Sequence, residues 1–207
     1  MSVAAAARER GITEILHYTS EKGVMGSIIV DALLSRRDVE TNTEVAYIYE
    51  GVWDRSRDLQ WIGHTSMSVT QVNIDLFARS RNNHPQWWWA IMSFPIDILD
   101  DPDVVFTTTN NAYTETCKRG AGLDGFNAMF ADSVPWGKFN TIARRFDDHP
   151  CALPTHGAAE VLYPRPLPLG RMSCLYVPDD TRNSLIQSWC EIYGRDPLNI
   201  VVDPELF

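Results

Sequence analysis

Apolar positions along the chain come in short groups separated by polar connections. Residues 14–19 (EILHYT) read as a first strand. Residues 21–34 carry Val24, Ile28, Ala32 and Leu33 near helical spacing and predict a helix. Residues 35–42 are polar and read as a connection, and 45–48 as a short strand. Residues 64–70 predict a strand and 73–81 a short helix. The strongest buried-strand signal is 87–94 (WWWAIMSF), aromatic and apolar between Pro85 and Pro95. A helical turn at 96–99 and a strand at 104–108 follow. Residues 110–156 are rich in Gly, Asn, Asp and Pro, with helices predicted at 125–131 and 138–146. So long a stretch with so little regular pattern points to function. Strands at 159–163 and 174–177 precede a helix at 180–193, with Asp180 or Thr181 as its cap. Strands in both halves with helices between them predict an α+β domain on a mixed or antiparallel sheet. No repeat, linker or composition break divides residues 1–207, which read as a single domain.

Composition narrows the functional classes. With 44% hydrophobic and 22% charged residues, 207 residues suit one globular domain. No apolar run approaches the ~20 residues of a membrane span, so no membrane role is expected. The start, MSVAAAARERGITEI, is broken by Arg8, Glu9 and Arg10 and does not read as a secretion signal. Cys117, Cys151, Cys174 and Cys190 form no C-x-x-C pair, so neither a zinc site nor a redox motif is expected. Scattered thiols suit a reducing cytoplasm. The net charge of −9 argues against strong non-specific DNA binding. Yet acids concentrate at Asp97, Asp100, Asp101 and Asp103 and in the tail from Asp179 to Glu205. The cations are 15 Arg and 3 Lys, and Arg suits bidentate phosphate contact and base stacking. Gly120-Ala121-Gly122 is read as not followed by the G-x-G-x-x-G pattern and as lacking strand and helix flanks, so no Rossmann-type NAD site is expected.

Three ordered segments carry a family resemblance. The first is His17-Tyr18-Thr19, then a predicted helix and Leu33-Leu34-Ser35-Arg36, with Ala32 where a Gly is usual. The second is Ser66-Met67-Ser68 leading to Asn73 and Phe77, then Trp89, then Asn110-Asn111-Ala112. The third is Ala159-Glu160-Val161-Leu162. Together, over residues 16–177, they resemble the DarT family of toxin ADP-ribosyltransferases, which move ADP-ribose from NAD onto a DNA base.

That resemblance implies an ADP-ribosyltransferase-like fold, NAD as co-substrate and no metal. It implies that Glu160 is catalytic and that His17 and Thr19, which alternation sets on one strand face, bind NAD. A carboxylate beside the reacting ribose suits the positive charge that develops there. An Arg near both the NAD phosphates and the catalytic Glu, serving binding and catalysis, is implied as well. Arg55 and Arg57 are the candidates, and the spacing does not choose between them; each is equally able to pair with Asp54 or Asp58 on the surface. The acceptor would meet the loops, where Arg119, Arg144, Arg145, His149 and His156 are candidates for nucleic-acid contact. Of Phe126, Phe130, Trp136 and Phe146, most are expected in the core and one or two against a base. Single-stranded DNA is the favoured acceptor, because a paired base would first have to be extruded. Guanine is favoured over thymine on the Ser66–Asn73 segment. An antitoxin carrying a macrodomain is the partner implied. RNA or protein acceptors, or a non-catalytic nucleic-acid-binding module, are the competing readings. The intact His17, Thr19 and Glu160 argue against the last.

Overall fold

The computed structural model of the protein describes residues 1–48, 60–137, 139 and 141–207. In chain order the elements are α1 (Val3–Glu9), β1 (Glu14–Ser20), α2 (Glu21–Val30), β2 (Ala32–Leu33), α3 (Arg36–Thr41), β3 (Thr65–Val69), α4 (Ile74–Asn83) and β4 (Trp89–Pro95). The second half holds β5 (Val105–Thr107), β6 (Arg119–Ala121), α5 (Gly122–Ala128), β7 (Ser133–Trp136), β8 (Thr141–Arg144), β9 (Glu160–Tyr163), β10 (Leu167–Pro168), β11 (Cys174–Val177), α6 (Asp180–Ile192) and β12 (Ile200–Val202).

Among the described residues an eight-stranded sheet runs β12-β11-β4-β1-β3-β9-β5-β6. Its pairs are antiparallel except β11 with β12, so the predicted mixed sheet is observed. Alternation sends Ile15, Met67, Met92, Val161 and Leu175 to one face, which packs with Val24 and Ile28 of α2, Phe126 of α5 and Ile186 of α6. The opposite face carries Leu16 and Ile91 under Phe77 of α4. The triple Trp run divides as alternation requires: Trp88 stacks on Trp189 of α6, while Trp89 meets Tyr18 and Phe77 on the other side.

Several local predictions are corrected. α2 stops at Val30 because Asp31 turns left-handed (φ 57°), and Ala32 and Leu33 then pair with β10. The supposed connection at 35–42 contains α3, begun by a capping box in which Ser35 and Asp38 satisfy one another's backbone N–H. Residues 46–48 form a helical turn, not a strand. The helix predicted at 138–146 is absent from its described part, where β8 pairs with β7 as a hairpin. The cap of α6 is Asp179, whose side chain accepts the Arg182 N–H. The Ala-rich start, unassigned from sequence, forms α1, and Asp100 accepts the N–H groups of Val3 and Ala4.

Candidate active site

The sheet parts near its middle. β1 pairs with β4 along all seven residues but with β3 only at Ile15 and Leu16, opposite Val69 and Ser68. A cavity of about 340 Å3 straddles β1, β3 and β9 at this parting. Its volume lies within the ~300–1,000 Å3 of small-molecule sites. His17 and Glu160 both line it.

Ser66 of β3 ties the two together. Its carbonyl lies 2.8 Å from His17 Nδ1, and its hydroxyl donates to Glu160 Oε1 at 2.6 Å. A carbonyl only accepts, so Nδ1 carries the proton and Nε2 is left as an acceptor. Burial lowers the His17 pKa despite that hydrogen bond, which keeps the ring neutral. On the other carboxylate oxygen, the Asn111 N–H donates to Oε2 at 2.7 Å. Thr107 Oγ1 accepts the Glu160 N–H at 3.0 Å and holds the main chain of β9. Glu160 is thus fixed from both sides at the start of a strand whose next residue, Val161, is fully buried. Tyr18 shares the cavity wall. Its phenol pKa is pushed up first by burial and, to a lesser degree, by the Glu160 charge.

Arg119 is a brace in this arrangement. Its Nε donates to Asn111 Oδ1 and its Nη2 to the Asn111 carbonyl, both at 2.7 Å, and its Nη1 to the Cys117 carbonyl at 3.2 Å. The guanidinium therefore grips the residue whose N–H holds Glu160. Sequence reasoning saw Ser66 and Asn111 only as pieces of the resemblance and gave them no role. Their importance rests on the register that sets β3 and β5 beside β9.

The other predicted residues are dispersed. Thr19 packs over Gly23 of α2, where a Cβ would come within 1.8 Å of its Oγ1, and it is not among the residues lining the cavity. His156 accepts the Ala158 N–H at Nδ1, contacts Thr109 Oγ1 and lies against Trp136, just ahead of β9. His149 Nε2 donates to the Pro154 carbonyl within the same loop. Arg145 donates to the carbonyls of Leu153 and Pro150 and so folds that loop, whereas Arg144 on β8 is exposed. Phe126 and Phe130 are core residues and Phe146 is exposed. Phe139, not singled out from sequence, is 90% exposed. Arg55 and Arg57 lie outside the described residues. Among the described residues no group of three or more His, Cys, Asp or Glu could hold a metal ion, and no helix is long and apolar enough to cross a membrane.

The glycine reading needs correction. Gly125 completes G-x-G-x-x-G with Gly120 and Gly122, and the pattern begins within β6 and opens α5. It is still no dinucleotide turn, because β6 is an edge strand antiparallel to β5, with no parallel crossover. The glycines serve packing: a Cβ on Gly125 would lie 2.2 Å from the Gly120 carbonyl oxygen.

A sheet parted between central strands, with a neutral His and a doubly held Glu facing one cavity, defines the class as an ADP-ribosyltransferase-like fold. Over residues 17–207 the chain matches the ssDNA thymidine ADP-ribosyltransferase family, DarT. It belongs to that family and is an NAD-dependent ADP-ribosyltransferase. No curated protein matches it by sequence. Among solved structures, Thermus sp. 2.9 DarT in complex with NAD+ is similar over 94% of this chain and 96% of that one, with TM-score 0.61 and 11% identity. The same Thermus protein in complex with ADP-ribosylated ssDNA gives TM-score 0.61, 11% identity and coverage of 94% and 95%. Thermosipho africanus DarTG in complex with ADP-ribose gives TM-score 0.56 and 14% identity, covering 94% of this chain and 50% of that one. At these identities the likeness is one of fold.

Proposed function

We propose that this chain transfers ADP-ribose from NAD to a base of single-stranded DNA and releases nicotinamide. The observation that carries the reading is the Ser66 tie, which holds His17 and Glu160 at one cavity from different strands. The bond between the ribose and nicotinamide breaks, nicotinamide leaving with the bonding pair, and a base nitrogen bonds to the same ribose carbon. Glu160 acts on both changes. Its carboxylate stabilises the positive charge that develops on the ribose and takes the proton lost by the base nitrogen. His17 presents Nε2 as an acceptor to a ribose hydroxyl. Ser66 and Asn111 fix the carboxylate before the reaction, so that little reorganisation remains for the transition state.

The acceptor strand runs along the β7–β8 hairpin in this reading. Trp136 links the hairpin to the loop beside Glu160 through Tyr113 and His156, and the hairpin exposes Phe139, Ile142 and Arg144. Exposed aromatics with an arginine suit unpaired bases and their phosphates. The neighbouring clefts, which share Leu16 and Asn73 with the cavity, are flanked by Asp75, Asp203 and Glu205, which repel a polyanion. Guanine is the base expected from the Ser66–Asn73 segment, against the thymidine in the family description. Ser66 serves Glu160, and Asn73 accepts the Leu76 N–H as the cap of α4 while also lining the cavity. A macrodomain antitoxin that removes the mark is the partner in this reading, consistent with the DarTG description of the Thermosipho relative.

The test is to incubate the protein with NAD and a single-stranded oligonucleotide containing all four bases, then weigh each released nucleotide. One ADP-ribose on guanine supports the reading in full. ADP-ribose on thymine alone overturns the base assignment, and labelling of RNA or protein but not DNA overturns the acceptor.

A further inference from the structure

Three residues that line the cavity beside Glu160, Arg36, His64 and Thr65, each carry a buried side-chain atom without a hydrogen-bond partner: Nη1, Nδ1 and Oγ1. A buried donor or acceptor left unpaired is destabilising, and native structures leave few. Three in one wall mark a surface shaped for a ligand rich in hydrogen-bonding atoms. The cation among them is distinctive. Of the described residues lining the cavity, Arg36 is the one Lys or Arg. Asp38, the acid nearest in sequence, is committed to the Ser35 N–H and hydroxyl of its capping box. Arg119 is committed to Asn111. Burial and the neighbouring Arg37 both lower the His64 pKa, so its ring adds hydrogen-bonding capacity and no charge.

We propose that Arg36 binds the diphosphate of NAD, with His64 and Thr65 completing that half of the cavity through hydrogen bonds to phosphate or ribose oxygens. The inference rests on the NAD reading above and adds the residue that holds the doubly charged part of the molecule. A guanidinium fork meets two phosphate oxygens at once, which a lone ammonium does not. Anchoring there, away from the bond that breaks, leaves Glu160 free to act on the ribose. Arg36 reaches this position through local chain chemistry: Asp31 ends α2, β2 pairs with β10, and the capping box starts α3 with Arg36 at its first position.

Calorimetric titration of wild type, Arg36→Ala and Arg36→Lys with ADP-ribose and with nicotinamide riboside tests the assignment. ADP-ribose carries the diphosphate and nicotinamide riboside does not. Arg36→Ala is expected to weaken ADP-ribose by ~10–100-fold, the range of a charge-assisted contact, and to change nicotinamide riboside by less than about twofold. Arg36→Lys keeps the charge without the fork and falls between. Both variants are checked by thermal melting, and Arg36→Lys alone decides the question if Arg36→Ala does not fold. ADP-ribose affinity in the folded variants equal to wild type overturns the assignment while the NAD reading stands. A wild type that binds neither NAD nor ADP-ribose overturns the NAD reading and the assignment together.

Discussion

Replacing Arg119 separates two roles for one cation. As a brace, it holds Asn111 through two 2.7 Å hydrogen bonds, and Asn111 in turn holds Glu160 Oε2 at 2.7 Å. Arg119→Ala leaves the Asn111 side-chain and main-chain oxygens to water and frees the 110–113 turn to shift. Glu160 keeps its Ser66 hydrogen bond, so the carboxylate loses one of the two supports given by the described residues. A misplacement near 1 Å costs on the order of 10²-fold when geometry is a large part of catalysis. With one support retained, the turnover of saturated enzyme is expected to fall by about 10–100-fold. NAD affinity and DNA affinity should stay within about twofold. Arg119→Lys reaches one acceptor in place of two and should recover part of the loss. Single-turnover transfer to an oligonucleotide, with separate NAD and DNA titrations, reads all three quantities. If Arg119 instead touches the DNA, the slope of log affinity against log salt falls by ~0.7 for a single strand and turnover at saturation is spared. That outcome would refute the brace.

Arg145→Ala should lower the melting temperature, because it removes two hydrogen bonds that fold the 150–153 loop, a loss on the order of 1–2 kcal/mol. Arg144→Ala should leave melting unchanged and weaken DNA binding, with a smaller salt slope; the reverse pattern would show the two roles exchanged. His17→Ala should raise the KM for NAD more than it lowers kcat, since a ribose contact is made in ground and transition states alike; overlaid NAD titrations of variant and wild type would leave His17 a structural residue. Acid should destabilise the fold through its buried histidines. Burial lowers the pKa of His17, His64 and His156 below their unfolded values, so the unfolded chain binds more protons. Stability is complete above about pH 6.5 and is lost as pH falls through the lowered values. Melting temperatures that rise on acidification through this range would contradict that sign.

The sheet was largely legible because its strands are short apolar groups bounded by polar residues or proline: 14–19, 64–70, 87–94 and 159–163 all appear within a few residues of their predicted ends. What stayed hidden depends on contacts between distant segments. β7 and β8 carry too little apolar pattern to show as strands, and they form a hairpin because each supplies the other's backbone partners. α3 had a readable signal in Ser35-x-x-Asp38, but its short polar sequence hid it. Glu160 and His17 stood out through their motif neighbours. Arg36, Ser66 and Asn111 have no distinguishing chemistry in sequence and gain it only where the parted sheet brings them to one cavity. Arg119, Arg145 and His149 suggest nucleic-acid contacts by their charge, and a sequence does not display the carbonyl oxygens that each of them also serves.

Transfer by wild type and by Glu160→Gln, each shown by melting to be folded and by titration to bind NAD, tests the central claim most directly. Wild type with NAD and single-stranded DNA should yield one nicotinamide for each ADP-ribose gained by the oligonucleotide. Glu160→Gln keeps the shape of the side chain and loses its charge, so transfer should fall by at least ~10²–10⁴-fold. Transfer by the folded Gln variant at a rate near wild type would remove Glu160 from the chemistry, and with it the reading of this cavity as the site of ADP-ribose transfer.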